Sequence, residues 1–284
     1  LHKEYRRQRQ MCIRDRMNRS EIFLVMVSGM GTIAGSVMGT YIGMLGGTDP
    51  AAKVLFATHL LSASVMAVPG SIVLAKMLCP QTEEATDHVA ISGKEKENSN
   101  ILDAISSGTV TGVKLMTNIA AMLLVFISLV ALANYITEGV IGRYTGLNDW
   151  IVKITDGKAQ GLTFQFILGV ITSPFMWLIG VPSQDIMLVG SLLGQKTILN
   201  EFVAYFQLQQ WKDAGLFMYE KSILMSTYIL CGFANISSIG ILLGGLGVLA
   251  PEKRGLISRI GVPAMIGGAL VSVLSATIIG MILG

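Results

Sequence analysis

The sequence predicts an all-α polytopic membrane protein with inverted repeats, a re-entrant hairpin and interrupted transmembrane helices. Three observations carry that expectation. The 284 residues are 52% hydrophobic and only 14% charged, against about 25% charge in a soluble domain. Apolar runs of about 20 residues, long enough to cross a bilayer as helices, recur along the chain. Two of the apolar stretches hold polar centres, at residues 200–205 and 232–239. A central acid there costs roughly 2.5–3.5 kcal/mol on insertion scales, and such groups persist by facing a protein-lined cavity with a partner. Glycine is abundant (32) and proline scarce (7), which suits close helix packing and broken helices.

Residues 1–16 are read as a non-native leader. They hold Lys3, Arg6, Arg7, Arg9, Arg14 and Arg16 against Glu4 and Asp15, whereas the rest of the chain has 15 basic and 16 acidic residues. The net charge of +3 therefore says nothing for nucleic acid or another anionic partner. The leader lacks the apolar core of a signal peptide, and residues 9–16 resemble translated adapter sequence; the alternative is a disordered basic tail. Without it, Cys79 and Cys231 remain, with His59 and His88 standing alone. No metal spacing or disulfide framework is visible among them.

Residues 17–79 are expected to form a first-repeat interrupted helix (about 21–46, centred on Ala34-Gly35-Ser36-Val37) and a following helix (about 54–78) interrupted by Pro69-Gly70. Residues 80–115 read as a charged loop and then an interfacial helix from 101, lying on the membrane surface. Residues 116–160 read as a scaffold helix, to about 136, and a polar loop. Residues 161–284 form the second repeat. Within it, 161–181 is apolar but contains Pro174. The stretch 186–208 has two apolar arms of about 10–14 residues, too short to span and suited to a re-entrant hairpin. An interrupted helix over about 222–248 centres on Asn235-Ile236-Ser237-Ser238. Pro251-Glu252-Lys253-Arg254 makes a charged turn, and a last span fills about 260–283. The stretches 21–78 and 222–283 share one plan: a polar-centred helix, a short loop, then a plain helix. Paired interrupted helices of this kind point to a binding site between the repeats of a secondary transporter. By that symmetry a further hairpin belongs before residue 21, so the chain is expected to be N-terminally truncated.

Gly194-Gln195-Lys196-Thr197-Ile198-Leu199-Asn200-Glu201-Phe202-Val203-Ala204-Tyr205, followed by Cys231-Gly232-Phe233-Ala234-Asn235-Ile236-Ser237-Ser238-Ile239-Gly240 and Ala250-Pro251-Glu252-Lys253-Arg254, resembles the concentrative nucleoside transporter family. The resemblance covers residues 17–284. It implies a cation-coupled nucleoside symporter working by alternating access, as a homotrimer in the cell inner membrane. Nucleoside and lipid would be its partners, with no cofactor beyond a coupling ion, Na+ or alternatively H+. By position, Glu201 at the hairpin tip would bind the ribose hydroxyls, and Asn235 and Ser238 would complete that site. Phe233 would lie near the substrate, Tyr41 near the base, and Ser36 and Val37 at the sodium site. Ser183 departs from the family, many members of which carry Trp there. Gln81-Thr82-Glu83 matches the family's other hairpin only by coincidence, because it follows a helix into the charged loop.

The chemistry of these residues agrees with the resemblance. An ionised carboxylate is acceptor-only and takes hydrogen bonds from two neighbouring hydroxyls, about twice as strongly as a neutral acceptor. Unwound backbone frees carbonyls for a hard cation, with a serine hydroxyl beside them. A purely structural alternative has Glu201 paired with Lys196 or capping a helix, and Ser237 and Ser238 easing helix packing. An intramembrane enzyme using Glu201 would need a second titratable group or metal ligand, and the spans offer neither HExxH nor paired Asp. A channel would show repeated polar rings, whereas these polar groups cluster at helix breaks.

Overall fold

The computed structural model describes residues 17–82, 101–155, 157, 159–249 and 251–284, and among them all regular secondary structure is helical. The leader 1–16, most of the charged loop and His88 lie outside the described residues. The chain divides into two compact units, one made of Leu1–Thr86 with Gln165–Gly284 and the other of Asp87–Phe164. The two expected repeats thus belong to one unit.

That unit contains two helix trios of the same plan. The first begins at Asn18, whose side chain accepts from the Glu21 amide at 2.9 Å while the Glu21 carboxylate accepts from the Asn18 amide at 2.8 Å. This reciprocal cap pairs donors that a helix start leaves open and launches α1 (Arg19–Gly31). α1 stops at Thr32, and after an extended Ala34 the helix resumes as α2 (Gly35–Gly46) with no side-chain cap. Gly47, at φ +54°, turns the chain, and Asp49 caps α3 (Pro50–Leu78) by accepting from the Ala51 and Ala52 amides. Pro50 sits at the first helical position, where a missing N–H removes no bond. Gln81, three residues past the end of α3, accepts from Lys76 Nζ at 2.6 Å.

The second unit runs as α4 (Ile101–Asn134), a π-helical stretch over Tyr135–Gly142, a single turn at Arg143–Thr145 and α5 (Leu147–Ile154). Two expectations differ here. The interfacial segment and the span that follows it form one continuous helix. No proline separates them, and Thr109 and Thr117 donate back to Ile105 O and Val113 O at 2.7 and 2.9 Å, so these polar residues do not end the helix. The stretch read as a polar loop is partly helical, because Leu147, Trp150, Ile151 and Ile154 recur at helical spacing. Asn148 ties it together, donating to Glu138 O and accepting from the Leu162 amide, both at 3.0 Å.

Back in the first unit come α6 (Phe164–Leu178), α7 (Ile186–Ile198) and α8 (Glu201–Asp213). The second trio follows as α9 (Glu220–Leu230), α10 (Ile236–Leu249), a 3-10 turn at Pro251–Lys253 and α11 (Arg254–Ile282). Both predicted interruptions are present, at residues 32–34 and 231–235, slightly before the expected centres. The small and hydroxyl residues expected at those centres occupy the first turn of α2 and α10, and in α10 Ser237 and Ser238 bond to Asn235 at the helix start.

Among the described residues α3 and α11, 29 residues each, are long and apolar enough to cross a membrane; at 1.5 Å per residue each reaches about 44 Å. α11 is the central element, packed against α1, α3, α9 and α10. Small residues allow that approach: a Cβ on Gly268 would lie 2.9 Å from Met30 Cβ, and one on Gly267 2.9 Å from Val27 Cγ2. Val54, Leu61, Val65, Val68 and Ile72 leave one side of α3 apolar and exposed, as a lipid-facing helix requires.

Candidate functional site

α7 and α8 are 13 residues each, about 20 Å long against a hydrocarbon core of about 30 Å. They pack on each other as a helix hairpin whose turn is Leu199-Asn200. The Asn200 side chain accepts from the Val203 amide at 2.9 Å, so it is the N-cap of α8. Glu201 follows as the first residue of that helix, where a negative charge complements the macrodipole.

The second interruption presents another helix start to the same carboxylate. Asn235 Oδ1 accepts from the Ser238 amide at 2.9 Å and from Ser237 Oγ at 2.7 Å. The Asn235 amide donates to Ser238 Oγ at 3.2 Å, and Ser238 Oγ donates to Asn235 O at 2.6 Å. This is a capping box with serine in place of the usual acid. Asn235 then has its amide nitrogen free to reach across, and Nδ2 donates to Glu201 Oε2 at 3.2 Å. Two helix N-termini, 34 residues apart in sequence, meet at one carboxylate.

The unspent capacity defines what the site can hold. Glu201 is half-buried and has acceptor positions left after Asn235 takes one. Asn235 retains one amide hydrogen, because Nδ2 carries two and gives one to Glu201, while both lone pairs of Oδ1 are taken. Ser238 is fully buried and its only hydrogen goes to Asn235 O, so it can accept but not donate. A ligand bearing two adjacent hydroxyls matches this set: one donates to Glu201, the other accepts from Asn235 and donates to the remaining carboxylate position.

Tyr41 comes from α2 to the same place. Its ring stacks on Tyr205 of α8, with centroids 4.0 Å apart and planes at 22°, and tilts against Phe202 at 6.2 Å. Its buried hydroxyl faces Glu201 but completes no hydrogen bond of ordinary geometry. Tyr205 is anchored in turn by donating to Thr227 O at 2.8 Å. Phe233 is half-buried inside the interruption. Val37 lies in the first turn of α2, packed against the cluster of Tyr41, Leu45 and Tyr205. The Ser36 backbone belongs to the same turn, and its side chain lies outside the described residues. Glu201, Asn235, Ser238 and Tyr41 are therefore brought together, with Phe233 in the adjoining backbone.

The two interruptions also touch. Gly232 has φ +110°, and a Cβ there would stand 2.7 Å from Gly31 O and 2.9 Å from Met30 O. Only glycine lets the second break approach the last carbonyls of α1 so closely.

Two groups were not picked out by sequence reasoning. Lys196 was weighed only as a partner for Glu201, yet it makes no contact ion pair with that residue. It is fully buried and donates to Ile229 O at 2.7 Å and Ser272 Oγ at 2.9 Å; Ser272 passes a bond to Cys231 O at 2.6 Å. The signal available was its charge inside an apolar run, costly enough to demand a role. Asp185, also fully buried, accepts from the Met218 and Tyr219 amides at 3.0 and 3.1 Å and fixes the entry to α9. A cavity of about 370 Å³ opens between the start of α1 and the end of α3, lined by Asn18, Ser20 and Cys79 among others, and none of the cradle residues lines it. Among the described residues no three His, Cys, Asp or Glu side chains gather into a metal site.

Comparison with known proteins places this arrangement. Residues 59–280 match the model of the Na+-dependent nucleoside transporter C-terminus. Sodium/nucleoside cotransporter 1 of Rattus norvegicus is 38% identical over 280 residues, covering 94% of this chain and 40% of that protein. Nucleoside permease NupC of Helicobacter pylori is 36% identical over 270 residues, covering 94% of this chain and 59% of its own. The structure of CNTnw in an inward-facing substrate-bound state superposes with a TM-score of 0.78 at 35% identity, over 97% of this chain and 60% of that one. The chain thus spans about 60% or less of the length of these relatives.

Proposed function

This chain belongs to the Na+-dependent nucleoside transporter family, a family of multi-pass membrane transporters and not of enzymes, and we propose that it carries the ribose-binding part of a cation-coupled nucleoside importer. The observation that supports this most is the meeting of Glu201 and Asn235 at 3.2 Å, each at a helix start and each with bonding capacity to spare. Glu201 accepts from the ribose hydroxyls and Asn235 donates to one of them. Phe233 borders the sugar, and Tyr41, whose hydroxyl faces Glu201, stands on the side of the base. Ser238 acts by holding Asn235 in place and by lending its remaining lone pair.

The coupling ion is Na+, taken up where α1 breaks. Carbonyls at the C-terminus of α1 carry the negative end of its dipole, and Ser36 and Val37 lie in the first turn of α2, just after the break. The α7–α8 hairpin is re-entrant, its tip meeting the inverted second repeat in the membrane interior. Alternating access moves this cradle across the plasma membrane within a homotrimer, with no nucleic acid involved.

The test compares uridine with its 2′-deoxy and 3′-deoxy analogues in binding to the full-length protein. Loss of a ribose hydroxyl leaves a buried charged acceptor unpaired, so each deoxy analogue should bind about tenfold more weakly or worse. In Glu201→Gln that discrimination should shrink. Equal affinity for all three ligands in the wild type would exclude a carboxylate that reads ribose.

A further inference from the structure

We propose that Lys196 is a tethered cation that occupies the interruption between α9 and α10, filling there the place a bound metal ion would otherwise take. The interruption frees backbone carbonyls, and carbonyl and hydroxyl oxygens are what a hard cation seeks. At the edge of the second break two such carbonyls, Ile229 O and Cys231 O, are already engaged. Lys196 Nζ sits 2.7 Å from Ile229 O and 2.9 Å from Ser272 Oγ, and Ser272 Oγ donates to Cys231 O at 2.6 Å. Ile229 and Leu230 close α9, so the ammonium also meets the negative end of that helix.

The tether gives the ion a second use. Lys196 lies in the last turn of α7, five positions before Glu201, so its bonds hold the hairpin turn, the broken helix and α11 as one body. Lys196 is accordingly a positioning residue for Glu201 and Asn235 and touches no ligand. The two halves of the unit then differ in kind: the α9–α10 break carries its own positive charge, and any mobile coupling ion belongs to the α1–α2 break. This last step rests on the transporter reading; the occupancy of the break by Lys196 does not.

The test uses the purified full-length protein and small amines. Lys196→Ala removes three methylenes and the ammonium, a volume that n-propylammonium restores. The variant should melt well below the wild type and regain stability in n-propylammonium chloride, but not in tetramethylammonium chloride at equal ionic strength. The wild type should respond alike to both salts. Uridine affinity of the variant should fall about tenfold or more, as expected for buried oxygens left unpaired, and recover with the same amine. A variant that answers equally to both salts overturns the proposal. If Lys196→Ala does not accumulate folded, Lys196→Met and Ser272→Ala decide. Their combined destabilisation should fall short of the sum of the single effects, because they cut one network; full additivity overturns the proposal. Absence of uridine binding by the wild type would count against the nucleoside reading alone, since the amine-dependent melting still decides the role of Lys196.

Discussion

Replacing Gly232 with alanine tests whether the two helix interruptions cross at van der Waals contact. Two costs add. Gly232 has φ +110°, and forcing an L-residue into left-handed space costs roughly 1–2 kcal/mol. The new Cβ would also meet Gly31 O at 2.7 Å and Met30 O at 2.9 Å. Both are backbone atoms at the end of α1 and cannot rotate away, so overpacking adds roughly 1–3 kcal/mol. The total is about 2–5 kcal/mol, which corresponds to a fall in apparent melting temperature of at least about 4 °C in the detergent-purified protein. Gly244→Ala is the control: it lies within α10 with nothing inside 4 Å of its added Cβ, and alanine there should be neutral or raise stability by up to about 1 kcal/mol. Uridine affinity should fall in Gly232→Ala because the segment that shifts leads directly into Asn235. A Gly232→Ala protein that melts with the wild type and binds uridine normally would refute the crossing.

Three other substitutions separate binding from folding. Asn235→Asp keeps an acceptor for the Ser238 amide, so α10 stays capped, but it removes the donor to Glu201 and sets a second carboxyl against it; stability by melting should fall by about 1–3 kcal/mol, and uridine binding by the protein that remains folded should fall more than tenfold. Tyr41→Phe deletes a buried hydroxyl that faces Glu201 without completing a hydrogen bond of ordinary geometry, so stability should hold within about 0.5 kcal/mol while nucleoside affinity drops in a binding titration. Asp185→Ala strips two amides of their acceptor and should cost about 2–4 kcal/mol by melting, with the 2′-deoxy discrimination of the protein that remains folded unchanged.

What the sequence revealed depended on how local the signal was. The two interrupted helices were legible because each places small and hydroxyl residues inside an apolar run, and the hairpin because Asn200-Glu201 divides two arms too short to span. The break positions were misplaced by a few residues, since Ser237 and Ser238 belong to the capping turn of α10 and not to the gap. α4 was divided in sequence because polarity was taken for a boundary, while Thr109 and Thr117 return their hydroxyls to their own helix. Lys196 and Asp185 were the hardest to read. The partners of Lys196 lie 33 and 76 residues away and those of Asp185 lie 33 and 34 away, so no local pattern announces either. Tyr41 reaches Glu201 from the other repeat, a meeting that only the packing of α2 on α8 creates.

The most direct measurement is accumulation of labelled uridine by vesicles bearing the full-length protein, wild type and Glu201→Gln, with and without an inward sodium gradient. The account predicts concentrative, sodium-driven uptake in the wild type and its loss in Glu201→Gln. Uptake indifferent to sodium and collapsed by a protonophore would transfer the coupling to protons, and undiminished uptake by Glu201→Gln would contradict the assignment of the ribose site itself.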